Sequence, residues 1–410
     1  MTVSDPIAPV RSLLATANQD PHPFFDAWRE QSPLFWDETV NAWLVLSYDQ
    51  CREVLIAEDR FRHPYADADA TLIDVKGGAR NITVLQGAEH QRMHRYIARL
   101  FSPQNIQLYH ERHLLPTTHF LIDRFIERGT ADLAAEFADQ LPARVFMSLF
   151  GMDAHDDIFV ARVRELHEII MKWSGGRQFQ GEEMTQLALA ASQELNEILL
   201  PYIRARRDNP QPDLISRLWA EAPEVLEGVT EDDMLATCRE LYLGGTDTTV
   251  HALCNAIYLL LTQPDVCRAV NADRGDTMNS FIEEVMRLLG SVQYRYRIAN
   301  QDCDVGGVAV KRNDVLIVVN AAANRDPQHY GCPAAVDLRR PSSRDHLAFN
   351  AGPRSCVGAP LAREEMRVAL GALLDRLPQW RLDSEREAPC FAGLFTRSYR
   401  PLHIRFGASH

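Results

Sequence analysis

Phe349-Asn350-Ala351-Gly352-Pro353-Arg354-Ser355-Cys356-Val357-Gly358-Ala359-Pro360-Leu361-Ala362-Arg363 is the stretch on which the reading of this 410-residue chain turns. Glu364, Glu365, Met366 and Val368 continue it at helical spacing, so Cys356 stands just before a helix N-terminus. The free backbone N–H groups and the dipole at such an end favour an anion, hence thiolate over thiol. Pro360 suits an early helical position, where a missing N–H costs little. Gly352 and Gly358 let the backbone take positive φ or come close to a flat ligand. Arg354, two residues before the sulfur, is placed to meet an anionic group. The plain alternative is a buried free cysteine near a helix start.

The pattern Phe-x-x-Gly-x-Arg-x-Cys-x-Gly fixes five positions in ten residues and resembles the haem-binding loop of the cytochrome P-450 superfamily. His346-Leu-Ala-Phe before it and Ala359-Pro-Leu-Ala-Arg after it resemble the bacterial members. The resemblance implies haem b (iron protoporphyrin IX) with Cys356 as its axial thiolate, pushing electron density onto iron. Backbone N–H groups near Gly358 would tune the sulfur.

Upstream, Leu241-Tyr-Leu-Gly244-Gly245-Thr246-Asp247-Thr248-Thr249-Val250 lies inside a predicted helix over 231–262, opened by a Thr230/Asp233 cap and followed by Pro264. Two adjacent glycines cost on the order of 1 kcal/mol each in a helix interior. Asp247 in an apolar stretch costs more unless it has a partner or water. Thr248 is positioned to bond the carbonyl of Gly244, four residues back. A core helix of purely structural purpose would avoid these choices, although glycine for close packing and threonine as a tolerated core residue remain the bland account. The segment resembles the family's acid–alcohol pattern, which implies that Asp247 and Thr248 relay protons through water to dioxygen.

Glu284 and Arg287 share a helix face at i,i+3, where an exposed ion pair is the usual explanation. They match the family's Glu-x-x-Arg motif, which braces the loop before the cysteine. The family's third, basic partner is expected where this chain has Ala335, so Arg339 or Arg325 is the expected substitute. By resemblance, Arg297, His346, His90 and His94 meet the haem propionates, with His94 standing where relatives have arginine. Solvated surface residues are the alternative for each. Arg92, Arg95 and Arg99 on the same predicted helix as His90 form either a solvated face or a docking patch for an acidic electron donor.

The remaining features bound the function. Net charge is −13, which argues against nucleic acid. The N-terminal residues form neither signal peptide nor membrane anchor, and charged residues interrupt the most apolar stretch at 234–262, so a cytoplasmic protein is expected. The eight cysteines include no C-x-x-C pair, which removes zinc-ribbon and thioredoxin readings. Apolar periodicity predicts helices over 105–127, 131–151, 182–207, 231–262, 278–289 and 359–376. Short strands are expected at 42–48, 305–310, 315–320 and 403–406, with irregular stretches at 63–81 and 324–355. No linker divides the chain. The expectation is a mainly α single domain over 1–410 with a small β-sheet: the cytochrome P-450 fold around a buried haem.

That resemblance implies a monooxygenase inserting one atom of O2 into a small, mostly apolar organic substrate. Neither a flavin nor an iron–sulfur signature is present, so electrons would come from a separate ferredoxin and its NAD(P)H-dependent ferredoxin reductase. A peroxygenase or isomerase would need no donor, but such enzymes tend to lose the acid–alcohol pair. A haem-based sensor would not need it. By family position, the pocket is lined by Ile82, Val84, Gly244, Val292 and Phe395, with residues near 165–180 contributing. Arg295 and Lys172 leave room for an anionic group. The residues do not name the substrate.

Overall fold

The computed structural model describes residues 12–176, 181–341 and 344–407. The end of the 165–180 pocket stretch, and Ser342 and Ser343 of the pre-cysteine loop, lie outside them. The chain folds into two compact units, each gathered from three separate stretches of sequence. The first takes Met1–Pro64, Glu283–Ser355 and Cys390–Arg400, and the second takes Tyr65–Ile282, Cys356–Pro389 and Pro401–His410.

The first unit is built on a five-stranded sheet in the order Leu34–Asp37, Ala42–Val45, Val315–Val318, Arg295–Ala299, Phe61–Arg62. Its central pair is parallel, with Trp43, Leu44 and Val45 opposite Leu316, Ile317 and Val318. Successive strand residues point to opposite faces. Leu44, Ile317 and Val319 accordingly join one buried cluster with Phe25, Trp28 and Tyr294, while Val45, Leu316 and Val318 join another with Cys51, Val54 and Phe61. The unbroken apolar run at 315–318 is thus a strand covered on both faces. Tyr48 and Asn320, which the sequence assigned to strand ends, instead begin helices.

The second unit is helical, with a three-stranded sheet in which His403–Arg405 lies between Thr130–Asp132 and Arg381–Leu382. The helices Glu182–Asp208, Glu231–Thr262 and Ala359–Arg376 fall where apolar spacing put them. The expected helix over 105–127 is divided into Pro103–Tyr109, a π turn His110–Leu114, and Leu115–Asp123. Pro116 lacks the N–H that would continue an α ladder, and the wider turn before it absorbs that loss. The expected helix over 131–151 loses its start to the strand Thr130–Asp132, which pairs with His403–Arg405, and the rest divides into a π turn Ala134–Ala138 and the helix Leu141–Leu149. Within the stretch expected to be irregular, Asp69 caps a helix Ala70–Lys76 by accepting the Leu72 N–H at 2.8 Å.

Glu365, on the helix after the cysteine, is fully buried and neither carboxylate oxygen has a hydrogen-bond partner. Burial pushes its carboxyl up to about 8. The folded protein therefore holds a proton that the unfolded chain releases near 4.5. Stability is unaffected below that value, falls as pH rises through the window, and has lost on the order of 4 kcal/mol above about pH 8. Glu365→Gln, which keeps the shape, is expected to flatten that slope. Urea unfolding midpoints at about pH 5 and about pH 8 measure it, and an unchanged slope in the variant would refute the buried neutral carboxyl.

Candidate active site

Ser355 and Cys356 leave a short 3-10 turn, Gly352–Arg354, and the helix Ala359–Arg376 starts three residues later with Gly358 as its N-cap and Pro360 in its first turn. Cys356 is exposed, unlike the buried Cys51, Cys238 and Cys254. A side chain at Gly358 would stand 3.9 Å from the Cys356 sulfur. Gly358 keeps negative φ, so its part is to leave the sulfur uncovered. Gly352 is the position that needs positive φ, at +70°, and a Cβ there would come within 3.0 Å of Ile56.

The long helix Glu231–Thr262 begins with a reciprocal cap, Thr230 N–H donating to Asp233 at 2.9 Å and Asp233 N–H to Thr230 Oγ1 at 3.3 Å. Its two glycines differ in purpose. A Cβ on Gly245 would lie 2.1 Å from the Phe146 ring of the helix Leu141–Leu149, so that glycine permits packing. Gly244 is exposed, and a Cβ there would approach only Glu240 Oε1 at 3.9 Å. Thr248 Oγ1 donates to the Gly244 carbonyl at 3.0 Å, the bond its spacing predicted. Asp247, half-buried, faces His251 at 3.6 Å one turn on. His167, unremarked in the sequence, approaches Thr246 Oγ1 at 3.1 Å. Burial pushes its imidazole down to about 4 against the opposing pull of Asp247, leaving the ring neutral.

Glu284 and Arg287 form no surface pair. Both side chains are wholly buried, joined by two bonds of 2.7 and 2.9 Å. Arg287 also donates to the carbonyls of Asn324, Pro333 and Ala335 at 2.9, 2.7 and 3.0 Å. Glu284 accepts from Asp337 N–H at 2.8 Å and from Arg340 Nε at 3.0 Å. Burial alone would raise its pKa, but these donors outweigh burial and hold the carboxylate below its usual range. The substitute third partner is therefore Arg340. Arg325 instead donates to the Leu288 carbonyl, and Arg339, exposed, donates its backbone N–H to Asp337.

Comparison with known proteins agrees with this arrangement. The family model Cytochrome P-450 matches residues 13–395. This chain belongs to the cytochrome P-450 family. It is 29% identical to cytochrome P-450 monooxygenase PikC of Streptomyces venezuelae over 99% of this chain and 95% of that one. It is 31% identical to mycinamicin IV hydroxylase/epoxidase of Micromonospora griseorubida over 83% of each. The crystal structure of CalO2 superposes with a TM-score of 0.83 at 25% identity, covering 95% of this chain and 97% of that one. The fold is thus the P-450 fold, the protein is an oxygenase, and the cofactor of its family is haem b on a cysteine thiolate.

The residues present fit that cofactor. Arg297 is buried on the strand Arg295–Ala299, and only its Nη1 is engaged, on the Tyr296 carbonyl at 2.9 Å. Its Nε and Nη2 are buried without a hydrogen-bond partner. Burial and the charges of Arg354 and Arg295 push its pKa down to about 10. A guanidinium so placed is stabilised by an incoming carboxylate, which is what a haem propionate offers. Arg354 meets its anion inside the protein, donating to Glu58 at 2.5 Å. His346 is buried with both ring nitrogens engaged: Nε2 lies 3.0 Å from Glu283, and Nδ1 accepts the Ala348 N–H at 3.3 Å. That histidine braces the loop before the cysteine.

His90, buried, and His94, half-buried, lie on the helix Gly87–Leu100 with ring centroids 5.6 Å apart. Arg92, Arg95 and Arg99 are exposed on that helix. Of the expected pocket residues, Val292 and Phe395 are brought together: Val292 bridges Thr396, and Gln293 N–H donates to the Phe395 carbonyl at 2.9 Å. Ile82 and Val84 are half-buried in the second unit, which also holds Gly244. Arg295 donates to the Ala348 carbonyl at 2.8 Å, and Lys172 is exposed.

The brace yields a discriminating test. Arg340→Met leaves the buried Glu284 carboxylate short of a donor and is expected to cost about 3 kcal/mol. Arg339→Met, one residue away and exposed, should stay within about 0.5 kcal/mol. Urea unfolding of the two variants decides between these neighbours; equal losses would remove Arg340 from the brace.

Proposed function

We propose that this protein is a haem-thiolate monooxygenase that hydroxylates a small, mostly apolar organic substrate, with electrons delivered by a separate ferredoxin and an NAD(P)H-dependent reductase. In this reading all 410 residues serve one haem-thiolate domain working in the cytoplasm, consistent with the finding that no described helix is long and apolar enough to cross a membrane. The observation that carries the reaction class is the acid–alcohol pair, Asp247 beside Thr248, with the Thr248 hydroxyl held on the Gly244 carbonyl. The overall balance is substrate C–H plus O2, two electrons and two protons giving substrate C–OH and water.

Cys356 is the residue that would ligate the iron, and Arg297 would hold a propionate through Nε and Nη2. His90 and His94 are the further propionate candidates, while His346 and Arg354 orient the loop through Glu283 and Glu58. When bound, haem supplies the redox-active iron at which dioxygen is reduced and one oxygen atom is inserted. The chain's own task is to meter protons. The Thr248 Oγ1 proton rests on the Gly244 carbonyl, and turning about χ1 frees it to pass outward while the oxygen accepts another. Asp247 supplies that second proton from water, its carboxylate kept in place by His251 at 3.6 Å. Gly244 leaves the helix surface open beside Thr248, and Ile82, Val84, Val292 and Phe395 offer apolar surface to the substrate. The exposed arginines 92, 95 and 99 provide a basic face for an acidic electron donor.

The carbon monoxide difference spectrum of the dithionite-reduced protein tests the ligand. A Soret band at the long-wavelength position of thiolate-bound haem is expected, and Cys356→Ala should abolish it. With ferredoxin, reductase and NADPH under isotopically labelled O2, one labelled atom should enter the product. Product formed with hydrogen peroxide alone, and none with the electron donors, would replace this reading with a peroxygenase. Thr248→Ala is expected to keep haem and substrate binding while diverting reducing equivalents to peroxide. A fully coupled Thr248→Ala enzyme would contradict the proton role.

A further inference from the structure

Glu240 lies one helical turn before Gly244 and two before Thr248, on the same side of the helix Glu231–Thr262. Its Oε2 is fully occupied, accepting from Asn81 Nδ2 at 3.0 Å and facing Lys76 Nζ at 3.6 Å. Its Oε1 accepts no hydrogen bond among the described residues. That oxygen is the atom nearest the open face of Gly244, 3.9 Å from where a Cβ would stand. The Glu240 side chain is 15% exposed and so is not sealed inside the packed core.

The groups around it are fixed. Asn81 is buried, its second N–H donates to the Lys76 carbonyl at 2.9 Å, and its Oδ1 accepts the Thr83 N–H at 2.9 Å. Lys76 is buried with its ammonium over the Tyr65 ring at 5.5 Å. Burial lowers its pKa, but Glu240 and Tyr65 raise it by more, so the ammonium stays charged beside the carboxylate. Arg239, next on the helix, donates to the Val75 carbonyl at 2.7 Å and to Ser192 and Asn196 at 2.8 Å each. Gly77, at φ +84°, lets the backbone pass that side chain closely: a Cβ there would lie 2.7 Å from Arg239 Cδ and 2.8 Å from its Nη1. An acceptor held this firmly, with one oxygen left over, has the character of a recognition group.

We propose that Glu240 is a specificity-determining residue whose Oε1 accepts a hydrogen bond from a hydroxyl on an otherwise apolar substrate. The inference rests on the oxygenase reading, because that reading makes the Gly244–Thr248 face the substrate's side. A neutral donor suits the site best. Lys76 already compensates the carboxylate, so an ammonium gains little there, and an anion is repelled by Oε1. A ketone, which only accepts, leaves Oε1 unmet.

Glu240→Gln separates recognition from bracing. Asn81 and Lys76 are both donors, so they hold the amide oxygen and turn the amide N–H group to the place of Oε1. The variant keeps the brace and exchanges the outward acceptor for a donor. Equilibrium dialysis measures binding without reference to haem, using matched alcohols and ketones: menthol and menthone, cyclododecanol and cyclododecanone. Wild-type protein is expected to bind the alcohol about tenfold or more tightly than its ketone, and Glu240→Gln should bring that ratio close to one. The inference is overturned if no pair favours the alcohol in the wild type, or if the preference survives Glu240→Gln. The carbon monoxide spectrum of the same preparations reports separately on the haem-thiolate reading.

Discussion

The charges of Glu284, Arg287 and Arg340 are taken entirely or almost entirely out of water, and the first unit depends on their being satisfied there. Desolvating such groups costs several kcal/mol each, which attraction alone recovers only when the geometry is good and the remaining donors are used. Here they are used on backbone. Arg287 reaches three carbonyls between Asn324 and Ala335, and Glu284 takes the Asp337 N–H. A stretch without helical or strand ladders must place its backbone groups somewhere, and this ion cluster receives them. The approach to Cys356 is thus held by charge buried off the site, continued by Glu283 on His346 and by Glu58 on Arg354.

The long helix of the second unit divides its unfavourable residues between a packed side and an open one. Gly245 faces Phe146 and could carry no side chain without moving that ring. Gly244 meets no such wall, so its cost is not recovered in packing. The three threonines at 246, 248 and 249 all donate to carbonyls four residues back, at 2.9, 3.0 and 3.1 Å. Only Thr248 does so from the side on which Gly244 leaves the helix uncovered. Thr248 is thus distinguished from its neighbours by what is missing opposite it.

Legibility in the sequence followed the range of the interactions. The helices at 231–262 and 359–376 were readable because caps and apolar spacing are local, and the Thr248-to-Gly244 bond because it spans four residues. The start of the helix expected over 131–151 was misread because Ala131 and Asp132 are claimed by a strand whose partners, Ile404 and His403, lie far along the chain. The brace showed the same limit. Glu284 and Arg287 could be paired from an i,i+3 spacing, but their burial could not be read, and nothing in Arg339-Arg340 says which guanidinium turns inward. Glu240 was visible only as one of the charges interrupting the apolar stretch at 234–262, and its role could not be read until Asn81 and Lys76 are seen to occupy one oxygen and leave the other.

Buried arginines supply the last discrimination. Burial pushes Arg239, Arg297, Arg325 and Arg397 down to about 10 alike, so the pKa does not distinguish a ligand-binding guanidinium from a structural one. Hydrogen bonding does. Arg397 donates to the carbonyls of Thr16, Gln19 and Gly393, and Arg325 donates twice to Leu288, so their charge is spent on holding loops. Arg239 lacks a partner for Nε alone, whereas Arg297 lacks one for both Nε and Nη2. Those two nitrogens are the pair that meets both oxygens of a carboxylate in the side-on geometry. Among the described residues, Arg297 is thus the buried arginine with two nitrogens left without a partner, and Arg295 and Arg354 add positive charge nearby.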